Sequence, residues 1–198
     1  MAFLETIQTP SGEVGLWRIE ENEEALFQQI YGREPRELKV LHPSTSIQRV
    51  ASRVLLSEMV GRPIDLQKDS NGKPSIPNSN KQVSISHTVG YAAVMLGKKT
   101  AIDVQEFRPK IINMADRFLD EREKEMAPDI EHVTLLWAAK ETIYKYNGKP
   151  GLDFRDPISI LRINERTMET VFLFNGRLTN LTLGWKILEG AVLVWLEE

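Results

Sequence analysis

Asp103 stands between Ile102 and Val104 in the strand-like run AIDVQ, where burying an aspartate is costly unless it is paired or holds a metal. Glu141 and Lys145 lie four residues apart, and with Trp137 they fall on one side of a helix. The apolar residues Val133, Leu136, Ala139 and Ile143 occupy a neighbouring side, which seats that helix in a core and leaves Glu141 and Lys145 at its boundary. Taken alone, a Glu-Lys pair at this spacing is usually a surface ion pair worth roughly a few tenths of a kcal/mol. Asp103 changes that weighing. A hard divalent cation such as Mg2+ is commonly held by one or two carboxylates, substrate phosphates and water, so Asp103 and Glu141 suffice as protein ligands and point to a polyphosphate substrate.

Other candidates cluster around these three. His87, in SISHT, sits where a strand gives way to a turn, a place where functional side chains concentrate. Lys73 lies in the loop motif NGKP. Arg49 and Arg53 are four apart and share one side of a second helix. Further basic groups are Arg33, Arg36 and Lys39, and Lys98, Lys99, Arg108 and Lys110 around Asp103. Each could be no more than solvated surface charge.

These residues need elements to position them. Residues 21–30 read as a short helix with acidic residues in its first turn. A clearer helix begins near Ser44 or Ser46, carries Ile47, Val50, Val54 and Leu55 at helical spacing, and ends at Gly61 and Pro63. Residues 69–80 are dense in turn formers and read as a loop. VSISH and YAAVMLG form a hairpin through Val89 and Gly90, and TAIDVQEF is a third strand. Helical pattern follows in KIINMADRF and again over 131–146, ending at Asn147 and Gly148. The remainder, PISILRI, METVFLF, LTLGWKI and AVLVWL, returns to strands, with Asn175 and Gly176 as a turn signal.

Composition narrows the function classes. The 198 residues are 41% hydrophobic and 27% charged, which suits a soluble globular chain. The absence of cysteine excludes disulfides, thiolate metal sites and thiol nucleophiles. A net charge of −3 argues against binding through many nucleic-acid phosphates. No apolar run approaches the roughly 20 residues that span a bilayer, and the N-terminus does not read as a signal peptide, so a cytoplasmic location is expected.

Four segments in order, NGKP (71–74), SISH (84–87), AIDVQ (101–105) and WAAKETIYKYNG (137–148), resemble the 4'-phosphopantetheinyl transferase family. The resemblance is to its larger, two-lobed, monomeric class of the surfactin-synthetase-activating type. That family carries G-I-D-x-E at a strand end, followed by W-x-x-K-E-x-x-x-K, and Asp103 and Glu141 stand at the separation this pattern requires. The resemblance implies an α+β fold of two similar lobes related by a pseudo-twofold, each a small antiparallel sheet with a packed helix. Residues 1–101 would form the N-terminal lobe, which makes the nucleotide contacts, and 102–198 the C-terminal lobe, which carries the metal and the catalytic helix.

The implied reaction moves 4'-phosphopantetheine from coenzyme A to a serine of an apo acyl or peptidyl carrier protein and releases 3',5'-ADP. Asp103 and Glu141 would hold Mg2+, while Lys145 and Lys140 neutralise phosphate charge. Ser86, His87 and Lys73 would contact coenzyme A at its nucleotide end, joined by Arg49 or Arg53. Glu141 would take the serine proton. Where the family usually has a second acid after the aspartate, this chain has Gln105, whose neutral oxygen is a weaker cation ligand; Glu106, one place on, would face the other way in a regular strand. Two other readings compete. A metal-dependent nuclease would combine the same residue types but usually sets Glu-x-Lys on a strand, and a relative that has lost catalysis would account for Gln105.

Overall fold

The computed structural model describes residues 3–22, 25–26, 43–149 and 151–198. It is an α+β fold with two antiparallel sheets. The first sheet has the order β1-β2-β6-β5-β4-β3, built from β1 (Phe3–Thr9), β2 (Gly12–Arg18), β3 (Gln67–Lys68), β4 (Pro74–Ser75), β5 (Gln82–Thr88) and β6 (Tyr91–Gly97). Helix α1 (Pro43–Val60) packs on it. The expected helix over 21–30 and the cluster Arg33, Arg36 and Lys39 fall mostly or wholly outside the described residues.

The apolar spacing of α1 does what the sequence suggests. Val50, Ala51, Val54 and Leu55 are buried against Trp17, Val83, Ala92, Val94 and Leu96. The helix stops at Gly61, whose φ of 75° is left-handed and suits only a residue without a Cβ. The hairpin β1–β2 has no counterpart among the strands expected from sequence. Its turn at Pro10 and Ser11 is short, and Thr9 Oγ1 closes it by accepting from Gly12 N at 3.0 Å.

The second sheet has the order β7-β11-β10-β9-β8, from β7 (Ile102–Glu106), β8 (Ile158–Ile163), β9 (Thr167–Phe174), β10 (Arg177–Leu188) and β11 (Ala191–Leu196). Asn175 and Gly176 both take positive φ in the β9–β10 turn, the conformation that Asn-Gly favours in tight hairpins. Helix α3 (Ile130–Asn147) buries Val133, Leu136, Ala139 and Ile143 against this sheet. Asp129 Oδ1 caps its start by accepting from His132 N at 2.9 Å, and Gly148 ends it at φ 65°.

Between β7 and α3 the chain differs from expectation. Residues Pro109–Arg117 form a 3-10 helix opened by Pro109; none of its side chains is fully buried, but Ile111, Met114 and Ala115 pack half-buried against the core. A five-residue helix, α2 (Glu121–Glu125), follows with a capping box between Asp120 and Glu123.

The halves share a core. Strand β6 is buried on both faces, with Ala92, Val94 and Leu96 towards α1 and Ala93 and Met95 joining Leu136, Ala139, Leu193 and Val194 of the second half. The last strand of the first sheet ends at Gly97 and the first of the second begins at Ile102. Across that junction Ser84 Oγ accepts from Ile102 N and Ser86 Oγ from Val104 N, each at 3.2 Å. Two hydroxyls of β5 thus take the place of ladder acceptors, and β7 is held on one side by β11 and on the other by serines.

Candidate active site

The seam between β5 and β7 sets the position of Asp103. The residue is 2% exposed, and Oδ1 accepts from Ser86 Oγ and from Lys145 Nζ, each at 2.7 Å. Its other oxygen, Oδ2, is buried and has no hydrogen-bond partner among the described residues. A buried carboxylate oxygen without a donor is costly, and a cation would satisfy it. Lys145 reaches Asp103 from α3 and also donates to the Ile102 carbonyl at 2.9 Å and, more weakly, to that of Ile85 at 3.5 Å. One side chain thereby touches both sheets.

Glu141 lies one helical turn before Lys145. Burial first, and then the charge of Asp103, push its carboxyl up to about 7 against the opposing charge of Lys145. A carboxylate with an orphaned oxygen, beside a second carboxyl that its charge holds towards the protonated form, fits a divalent cation. Among the described residues no three His, Cys, Asp or Glu side chains gather as a metal site, so a cation at Asp103 and Glu141 would complete its shell from neutral oxygens, water or phosphate. Gln105 lies on the same side of β7 as Asp103 by strand alternation, while Glu106 lies on the other and pairs with Arg108.

His87 is the penultimate residue of β5 and is partly buried. Its Nδ1 lies 3.2 Å from Gln48 Oε1 on α1. Burial, then Lys145, then Arg49 hold its pKa below the ordinary histidine value. Arg49 is therefore the helix arginine whose charge reaches this histidine; Arg53, one turn on, is half-buried. Gln48 was not among the sequence candidates, and an uncharged residue in an amphipathic helix leaves no signal there.

Lys73 enters from the loop between β3 and β4. Asp69 Oδ1 orders that loop by accepting from Asn71 N and Lys73 N, both at 2.9 Å. Asn71 Nδ2 donates to the Gly148 carbonyl at 3.4 Å, and the Lys73 side chain packs against Gly148, at the end of α3 where a cation is favoured. An open cleft of about 230 Å³ results, lined among others by Lys73, Ser84, Tyr144, Lys145 and Lys149. Lys149, which was not among the sequence candidates either, also sits 5.6 Å above the Phe174 ring.

Two of the residues expected at the ligand are buried in this structure. Ser86 donates its one proton to Asp103 and is 7% exposed, so it holds the carboxylate in place. Lys140 is wholly buried and points away from the cleft, donating to Glu123 Oε2 at 2.7 Å and to the carbonyls of Phe154 and Ile158 at 2.9 Å. With all three donors engaged, no phosphate contact is open to it. Trp137 is also structural, its ring meeting Phe118 edge-on at 4.9 Å and Phe154 at 5.2 Å.

No curated protein matches the chain. Residues 100–191, from just before β7 to the first residue of β11 and including Asp103, Glu141 and Lys145, match the family model of the 4'-phosphopantetheinyl transferase superfamily.

Proposed function

We propose that the protein transfers 4'-phosphopantetheine from coenzyme A to the serine of an apo acyl or peptidyl carrier protein, with Mg2+, as a two-lobed enzyme acting as a monomer. The observation that carries this reading is the pairing of Asp103, whose Oδ2 is buried and unpartnered, with Glu141, whose carboxyl is pushed up to about 7. The match of residues 100–191 to the superfamily supplies the reaction class.

The serine Oγ would attack the β-phosphorus of coenzyme A. The bond between that phosphorus and the bridging oxygen breaks, and 3',5'-ADP leaves with the electron pair. Glu141, half-buried and one helical turn before Lys145, would take the serine proton. Lys145 is positioned by the Ile102 carbonyl and Asp103 to offset the charge that grows on the leaving phosphate. Asp103 and Glu141 would hold Mg2+, which when bound supplies positive charge to the pyrophosphate. Lys73 and Lys149 line the cleft and would meet the phosphates of the nucleotide, and His87 and Arg49, which sense each other's charge near Lys145, would add to them.

The reading is tested by following release of 3',5'-ADP from coenzyme A chromatographically, with and without an apo carrier. Release that requires both the carrier and Mg2+ supports it. Release at the same rate without a carrier would mean simple hydrolysis and contradict it.

A further inference from the structure

The buried pair Lys140–Glu123 lies outside the cleft, yet Lys140 is the immediate neighbour of Glu141 on α3. Its geometry is unusually complete. Glu123 Oε2 accepts from Lys140 Nζ at 2.7 Å and from Asp120 N at 3.1 Å, while Oε1 accepts from Ile160 N at 2.9 Å. Lys140 adds the carbonyls of Phe154 and Ile158, so one ion pair ties α2, α3, the chain before β8 and β8 itself. Side-chain exposures are 0% and 1%. A fully buried pair is weak evidence for stability, because apolar replacements of similar volume are often as stable, but it is demanding about geometry.

That demand bears on the site. Successive helix residues project about 100° apart. Fixing Lys140 on one side of α3 therefore fixes the direction in which Glu141 leaves it, and one turn later that of Lys145. The aromatic contacts of Trp137 and Tyr144 with Phe154 pack the same segment against the same stretch of helix. We propose that Lys140 is a positioning residue: its pair with Glu123 sets the rotation of α3 about its axis and so presents Glu141 and Lys145 to Asp103. This rests on the reading of those three as the reactive group, and it gives Lys140 no contact with coenzyme A.

The test compares Lys140→Met, Glu123→Gln and the double variant in the full chain. Each single change leaves one charge buried without its partner and should lower kcat by about tenfold or more at a temperature where the variant is folded, with KM for coenzyme A within about twofold. Glu123→Gln is the sharper arm, because it leaves Lys140 intact. The double variant buries neither charge alone but still lacks the pair, so its kcat should stay about tenfold or more below the parent; recovery to within about twofold would overturn the proposal. A double variant with KM for coenzyme A raised about tenfold would overturn the proposal, since it would show that Lys140 meets the ligand. Single variants that are folded and fully active would overturn it as well.

A crystal structure of Glu123→Gln supplies a readout independent of activity. The hydrogen bond from Lys145 Nζ to Asp103 Oδ1, 2.7 Å in the parent, should break or lengthen beyond hydrogen-bond reach. An unchanged hydrogen bond overturns the positioning role even if the protein proves to have no transferase activity. Absence of transfer by the parent, together with a broken Lys145–Asp103 hydrogen bond in the variant, counts only against the function.

Discussion

Lys145 Nζ lies 2.7 Å from Asp103 Oδ1 and 2.9 Å from the carbonyl oxygen of the preceding residue, Ile102. One ammonium group therefore binds a strand through both its backbone and its acidic side chain, and with Ser86 it leaves only Oδ2 of Asp103 without a donor among the described residues. The carboxylate is oriented before any ligand arrives.

Replacing Asp103 with Asn keeps the shape but removes the charge that Lys145 faces. Transfer should fall by roughly 10²- to 10³-fold, the usual cost of removing one preorganised charge from such a site. The measurement is kcat for carrier modification at saturating coenzyme A. A loss confined to KM would show that Asp103 binds substrate but does not act in the reacting group.

Glu141 gives a pH dependence of defined sign. Its folded value of about 7 lies above the ordinary 4.5, so the native state favours the protonated form. The associated stability is full below about 4.5 and is lost as pH rises through 7. Glu141→Gln removes that loss and should make the variant more stable than the parent at pH 8, by at most about 3 kcal/mol, with a much smaller difference at pH 4. Denaturant unfolding at both pH values checks this, and an advantage that does not grow with pH contradicts the assignment.

A cation at Asp103 and Glu141 must displace the proton that Glu141 holds near neutrality. Mg2+ should therefore raise the Tm of the parent more at pH 8 than at pH 6, and Glu141→Gln should remove most of that shift. Gln105→Glu adds a third carboxylate on the same side of β7 and should lower the Mg2+ concentration needed for half of the shift. An unchanged Mg2+ titration in Gln105→Glu would place that residue outside the metal shell.

Ser86→Ala removes the hydroxyl that accepts from Val104 N and donates to Asp103. A buried N–H left unpaired should cost about 1–3 kcal/mol. Because the same change strips a donor from Asp103, transfer should fall too, while KM for coenzyme A stays close to that of the parent. A raised KM at unchanged kcat would return Ser86 to the role of a ligand contact.

The sequence makes part of this site readable because Asp103, Glu141 and Lys145 carry charge at strand and helix spacings that have few uses. Helices α1 and α3 are legible for a similar reason: Val50, Val54 and Leu55, and Val133, Leu136 and Ile143, recur with the helical period and end at left-handed glycines. What could not be read depends on partners far along the chain. Lys140 is adjacent to Glu141, and only Glu123, in a helix of five residues, reveals that it turns inward. Ser86 resembles any strand serine until β7 comes to lie beside β5. The 3-10 helix Pro109–Arg117 keeps a helical apolar spacing, with Ile111, Met114 and Ala115 against the core, yet none of its side chains is fully buried.

The most direct measurement is the mass of an apo carrier protein after incubation with coenzyme A, Mg2+ and either the parent or Glu141→Gln. The account predicts that the parent adds one 4'-phosphopantetheine to the carrier serine and that Glu141→Gln slows this by at least about 10²-fold. No such mass gain with the parent on any of several acyl and peptidyl carriers, or equal rates for parent and variant, would contradict it.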